Sequence, residues 1–171
     1  SLMSVPDPSF EHVLHSRLRN LNVQQASIEQ TSHWALFFAT QQQNVSAIVN
    51  AWLEEVGRAP SNDKRLALLY LANHILQEGK RKGRLFGEEF SKVVPKGVRE
   101  VLRSADAKTR GAVGRVVRVW EERRVFGSSV IKALKDLLAS AAAKDQGSNG
   151  ASMDEGSRRR LQVRVCVFMC V

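Results

Sequence analysis

Long apolar runs are missing from this 171-residue chain: no stretch reaches the roughly 18 residues of a membrane-spanning helix. Cysteine is nearly missing too. The two present, Cys166 and Cys170, both fall in the last six residues. Neither a disulfide framework nor a zinc cluster is therefore expected in the folded body, and a reducing, intracellular setting is. No apolar signal-type segment opens the chain, which argues against secretion; Ser1-Leu2 ahead of Met3 reads as a cloning remnant. Gly-x-Ser-x-Gly, His-Glu-x-x-His, the phosphate-binding loop and the dinucleotide fingerprint are all absent, so no enzyme activity and no cofactor are expected. The four histidines (His12, His15, His33, His74) lie on expected helices. His12 and His15 share a face without carboxylate company, and Cys166 and Cys170 would need a helix to converge, so no metal site is expected.

Aromatics are modest at 6%. Trp34, Trp52 and Trp120 fall in apolar stripes and are read as core rather than as platforms for stacked bases. What the chain has in quantity is positive charge. Lys and Arg outnumber Asp and Glu by 26 to 17, giving +9 and a pI near 10.2. Such a balance calls for an anionic partner without choosing among nucleic acid, phosphorylated protein and acidic membrane.

The most informative stretch is Lys64 to Glu78. Leu66, Leu68, Leu69, Leu71, Ala72, Ile75 and Leu76 surround a helical wheel, as in a buried helix. Tyr70, Asn73, His74 and Gln77 nevertheless fall at i, i+3, i+4 and i+7, one polar stripe. A polar stripe on a buried helix needs partners, and a ligand groove along it is the reading adopted.

Around this helix the chain reads as all-α. Two prolines in Val5-Pro-Asp-Pro-Ser9 make residues 1–8 an extended lead-in. Ser9 is the expected cap of a first helix. Helices follow from about Gln24 to Thr40 (with Ile28, Trp34, Ala35, Phe37 and Phe38 as apolar positions), from near Asn44 to Gly57, and through the central stretch. A short helix holds Phe86 and Phe90, and Pro95 is placed to open another. Asp106 caps a helix bearing Trp120, and a last one runs through Ile131 and Leu138. Residues 9–143 form the expected domain. From Lys144 the composition becomes that of a flexible linker, followed by an apolar tail, Val163 to Val171, that receives no function.

Two basic groups stand out: Lys80, Arg81, Lys82 and Arg84, then Arg110, Arg115, Arg118, Arg123 and Arg124. Clusters of this kind usually face solvent. Arg115 and Arg118, however, lie at i, i+3 on the side of their helix away from Val113, Val117 and Trp120. Arginine suits a fixed phosphate because its planar fork donates two charge-assisted hydrogen bonds.

Leu69-Tyr-Leu-Ala-Asn73, Ile75-x-Gln77, the Lys80-Arg-Lys-Gly83 turn and Gly114-Arg-Val-Val-Arg-Val-Trp-Glu-Glu-Arg123 resemble the domain that binds the C-terminal repeat tail of RNA polymerase II. Gln24 to Ile28, Ser32-His-Trp34 and Ile48-Val-x-x-Trp-Leu53 fit the same pattern. The likeness extends from about Phe10 to Leu138, and is to the regulators of nuclear pre-mRNA and the cleavage or termination factors that carry this domain. The resemblance implies a right-handed superhelix of about eight helices, of the ENTH/VHS type, without catalysis, acting in the nucleus. It implies a groove for the phosphorylated Tyr-Ser-Pro-Thr-Ser-Pro-Ser repeat. Asn73 would hydrogen-bond the peptide, Tyr70 would line the pocket for its tyrosine and prolines, and Arg115, with Arg118 beside it, would meet the phosphate on the second-position serine. The turn of Asn22, Gln24 and Gln25 would lie near the bend of the peptide.

Two departures stand out. His74 occupies the place of an aspartate that in the family accepts a hydrogen bond from the repeat's tyrosine. Thr40 to Asn44 lacks the family's basic cluster. A trafficking adaptor for sorting signals or lipid head groups, on a similar superhelix, and direct RNA binding through the basic turn are the alternatives. Neither reading supplies a membrane-spanning segment, and oligomeric state is not readable.

Overall fold

The computed structural model describes residues 7–83 and 86–147. Among them are seven α-helices and no strand: α1 (Pro8–Asn20), α2 (Gln25–Phe38), α3 (Gln42–Arg58), α4 (Asn62–Arg81), α5 (Phe86–Leu102), α6 (Ala107–Glu122) and α7 (Ser128–Gln146). Arg84 of the basic turn and the apolar tail after Gly147 lie outside the described residues.

Local chemistry sets most helix starts. The Asp7 carboxylate, rather than Ser9, caps α1: it accepts from the Ser9 amide at 3.0 Å, with Pro8 in the first turn, where its missing N–H costs nothing. Ser61 Oγ accepts from the Lys64 amide and Asp106 from Thr109. One helix start differs from expectation. Pro95 does not open a helix but sits inside α5. Proline in a helix interior deletes one backbone bond at a cost of about 3 kcal/mol. Phe90, Val94 and Val98, all without exposed surface, hold both halves of α5 in register against the core. The seven helices thus replace the eight that a break at Pro95 implies. α7 continues through Gln146, three residues past the expected edge of the linker.

The helices pack in two layers. α1, α3, α5 and α7 pack in succession, each on the next, and α2, α4 and α6 form a second row against them. Contacts between Leu21 and Lys64 and between Ser32 and His74 show that α2 and α4 run in the same direction. Tyr70 with Arg115 and Gln77 with Arg123 show the same for α4 and α6. α4 is the middle of its row, and Leu66, Leu68, Leu69, Leu71, Ala72, Ile75 and Leu76 are buried. The central helix is central.

Trp52 locks the layers together. Its Nε1 donates to the Leu68 carbonyl at 2.7 Å, and its six-membered ring lies over Gly97 of α5. A Cβ at Gly97 would come within 2.5 Å of Trp52 Cη2, closer than carbon atoms approach, so glycine is required there. Trp52 and Trp120 are core, as the apolar stripes imply, and Trp34 packs against it. Phe37 is not core: it is 74% exposed on the crest of α2, because the buried arc of that helix passes through Ile28, Ser32, Ala35 and Ala39 instead.

Candidate functional site

The polar stripe of α4 divides between its two neighbours. Toward α6, Asn73 is 4% exposed, and its Oδ1 accepts from Trp120 Nε1 at 2.9 Å and from Gln77 Nε2 at 3.3 Å. Indole nitrogen only donates, so the amide orientation is fixed with its oxygen toward α6. Both bonds use the carbonyl, which leaves the Nδ2 hydrogens for a ligand. Gln77 in turn accepts from Arg123 Nη1 at 3.1 Å through Oε1, and Lys80 Nζ donates to the Arg123 carbonyl at 3.1 Å. The two basic groups, some forty residues apart in sequence, meet here.

Arg123 sits at the end of α6, in a turn where the Val125 amide reaches back to the Trp120 carbonyl and the Arg124 amide to that of Glu121. That pattern puts the residue after the cap in a left-handed conformation, usually glycine. Here it is Arg124, at φ 51°.

One turn upstream of Asn73, Tyr70 faces Arg115 across the same seam. Burial raises the Tyr70 pKa, and the charge of Arg115 and hydrogen bonding with it pull the other way without cancelling the effect. The phenol is a neutral hydroxyl at physiological pH. Arg115 Nε is buried without a hydrogen-bond partner, an uncommon and costly condition for a guanidinium nitrogen. Arg115 and Asn73 thus lie on one seam, a helical turn apart along α4.

Toward α2, His74 Nδ1 lies 2.8 Å from the hydroxyl of fully buried Ser32, and the His33 ring stands edge-on at 5.9 Å. Burial lowers the His74 pKa; Glu78 and Glu29 oppose this, while His33 and Lys82 add to it. The imidazole is thus neutral, tied through Nδ1, with Nε2 remaining for a ligand. The turn at the start of α2 is braced by its own side chains: Asn22 Oδ1 accepts from the Gln24 amide at 2.9 Å and Ser27 Oγ from the Asn22 amide at 3.2 Å. Gln25 Nε2 donates to Glu29. This turn lies beside Lys64, six residues or about 9 Å up α4 from Tyr70.

Tyr70, Asn73, Gln77 and Arg115 come together, and His74 faces the opposite wall. Arg118 stands apart, exposed, with Nε 3.8 Å from Glu122. Trp120, Arg123 and Ser32 belong to the site without having been picked out for it. A buried asparagine carbonyl requires a donor, but sequence alone does not say which helix supplies it. His15 is occupied elsewhere, 3.6 Å from the buried carboxylate of Glu55.

The fold is a helical superhelix whose α4–α6 seam gathers Tyr70, Asn73, Gln77, Arg115 and Arg123 around one oriented amide. Residues 12–134 match the model of the CID domain family, and the chain belongs to that family. It is 34% identical over 125 residues to human regulation of nuclear pre-mRNA domain-containing protein 1B, covering 73% of this chain and 37% of that protein. It is 30% identical over 128 residues to Caenorhabditis elegans CID domain-containing protein 1, covering 74% and 40%. The chain thus spans about two fifths of the length of these curated relatives. Among solved structures it is similar to the CID of Ctk3 (TM-score 0.67, 18% identity, 81% of this chain and 96% of that one). It is also similar to the CTD-interacting domain of Seb1 from S. pombe (TM-score 0.65, 14% identity, 79% and 97%).

Proposed function

We propose that this chain is a non-catalytic reader of the phosphorylated heptad repeats of RNA polymerase II, acting in the nucleus to couple transcription to mRNA 3′-end processing or termination. The binding unit is residues 9–143. The observation that carries this reading is the convergence of Arg115, Tyr70 and Asn73 on the α4–α6 seam. A low-complexity peptide offers little apolar area, so its affinity must come from a few oriented polar contacts and one aromatic pocket. Asn73 Nδ2 donates to the peptide backbone, Tyr70 walls the pocket for tyrosine and proline, and Arg115 meets the phosphate on the second-position serine. His74, kept neutral by burial, accepts from the repeat's tyrosine hydroxyl through Nε2.

A charge-assisted pair is worth about 1.5–3 kcal/mol. Arg115→Ala therefore weakens a repeat phosphorylated at the second serine by roughly tenfold to a hundredfold and barely affects the unphosphorylated one. Titration of doubled heptads carrying phosphate at each serine in turn, at physiological salt, measures this. Equal losses for both peptides remove Arg115 from the phosphate. RNA binding through the Lys80–Arg123 junction would instead show as a steep salt slope with generic RNA.

A further inference from the structure

One ammonium group ties the start of α4 to the end of α1. Lys64 Nζ, from the first turn of α4, donates to the carbonyls of Leu18, Arg19 and Leu21. All three N–H bonds of the ammonium are used, and they fall on carbonyls at the end of α1, of which that of Leu18 also accepts from the Leu21 amide at 3.3 Å. Burial lowers the Lys64 pKa, and the charge of Glu55 on α3, 5% exposed, opposes this. Glu55 also faces His15 of α1 at 3.6 Å and Arg58 at 3.9 Å. A cation at the end of α1 matches the negative pole of that helix.

We propose that Lys64 is a positioning residue for ligand binding: by clamping the end of α1 it fixes the turn of Asn22, Gln24 and Gln25 relative to Tyr70 and Asn73. The proposal rests on the reading of the groove given above. Its physical content is that the clamp and the two recognition side chains sit on one rigid helix. Leu21, whose carbonyl Lys64 holds, is followed directly by Asn22, so the turn cannot swing while the ammonium is in place. The turn's internal bonds, from Gln24 to Asn22 and from Asn22 to Ser27, set its shape but not its location. Lys64 holds that shape to the groove helix from the α1 side, while the Ser32–His74 contact joins α2, which carries Ser27, to the same helix farther along. Ordering the turn before the peptide arrives lowers the cost of binding, which appears chiefly in the dissociation rate.

The role differs in kind from that of Arg115. A clamp on the turn acts on every peptide that bends there, whatever its phosphorylation, whereas a phosphate contact acts on the phosphorylated peptide alone. The test compares Lys64→Met, which keeps the aliphatic stem, Lys64→Arg, which keeps the charge, and Arg115→Ala. Each is titrated with phosphorylated and unphosphorylated doubled heptads at a temperature where all are folded, with amide hydrogen exchange followed in the free proteins. Lys64→Met is expected to weaken both peptides by the same factor, roughly three- to tenfold, through faster dissociation. Its amides at residues 21–27 should lose protection while those of α4 and α6 keep theirs, and Lys64→Arg should recover most of both losses. Unchanged affinity in Lys64→Met, alongside the phosphate-specific loss in Arg115→Ala, overturns the clamp and leaves the groove standing. Loss of protection spread over the whole domain also overturns it, since Lys64 would then act on stability alone. No effect of Arg115→Ala on the phosphorylated peptide sinks the groove reading itself, and the clamp with it.

Discussion

Replacing Trp120 by phenylalanine separates the two duties the structure gives that indole. Trp120 has no exposed surface, packs edge-on against Phe126 at 5.2 Å and donates the 2.9 Å bond that orients Asn73. Phenylalanine keeps the edge-on packing but loses the N–H and about 40 Å² of buried apolar surface. The area is worth about 1 kcal/mol. A buried hydrogen bond adds about 1 kcal/mol, so the variant should be destabilised by about 2 kcal/mol in urea unfolding, with an unchanged m-value. The effect on binding follows from the amide. In the native site, inverting Asn73 would set its NH₂ against the indole N–H as well as against Gln77. In the variant only the 3.3 Å bond from Gln77 opposes inversion. Losing up to about 1 kcal/mol of orientational bias weakens peptide binding by up to about fivefold at a temperature where the variant is fully folded. That loss should be the same for phosphorylated and unphosphorylated repeats, because Arg115 is untouched. A variant that loses stability but binds both peptides like the wild type would refute the idea that the indole aims the amide.

The apolar surround of Lys64 to Glu78 was enough to place α4 at the centre of the fold, and the 3.6-residue period was enough to put Tyr70, Asn73, His74 and Gln77 on one stripe. Period alone does not say which neighbour each member of a stripe faces. Asn73 and Gln77 turned out to be shared with α6, and His74 with α2, because α4 is flanked on both sides. The i, i+3 spacing groups Arg118 with Arg115. A 300° rotation separates such positions by 60°, enough to leave one guanidinium against Tyr70 and the other in solvent beside Glu122. Pro95 misled for a different reason. Its local preference for a first turn is real, but the buried side chains on either side of it outweigh one lost hydrogen bond. Phe37 shows the converse: an aromatic residue in an apolar run lies outside when the arc beside it already fills the contact with α4. Lys64 gave no sequence signal at all, since its three acceptors are backbone carbonyls.

The remaining perturbations test the fold and the histidine. Gly97→Ala gains about 1 kcal/mol of helix propensity but forces a methyl group against Trp52, and overpacking of about 1–3 kcal/mol should win. A rise in melting temperature would show that the Trp52 ring moves aside freely. Arg124→Gly relieves a left-handed arginine at the end of α6 and should raise stability by up to about 1 kcal/mol; an unchanged or lower unfolding midpoint would contradict this. His74 sets the pH response. Burial holds its folded pKa below the value of 6.5 it has when unfolded, so the unfolded chain takes up a proton first as the solution is acidified. Its contribution is fully present above pH 6.5 and is lost as pH falls from there toward the folded pKa. His74→Gln, neutral at every pH, should therefore lose less stability between pH 7 and pH 5 than the wild type, with His12, His15 and His33 common to both. Peptide binding should follow the other pKa: the tyrosine contact through Nε2 should survive at pH 6.5, where a free imidazole is half protonated, and fail only on further acidification. Parallel stability curves for the two proteins would place His74 in an environment that tolerates its charge, and the neutral acceptor assigned to it would have to be given up.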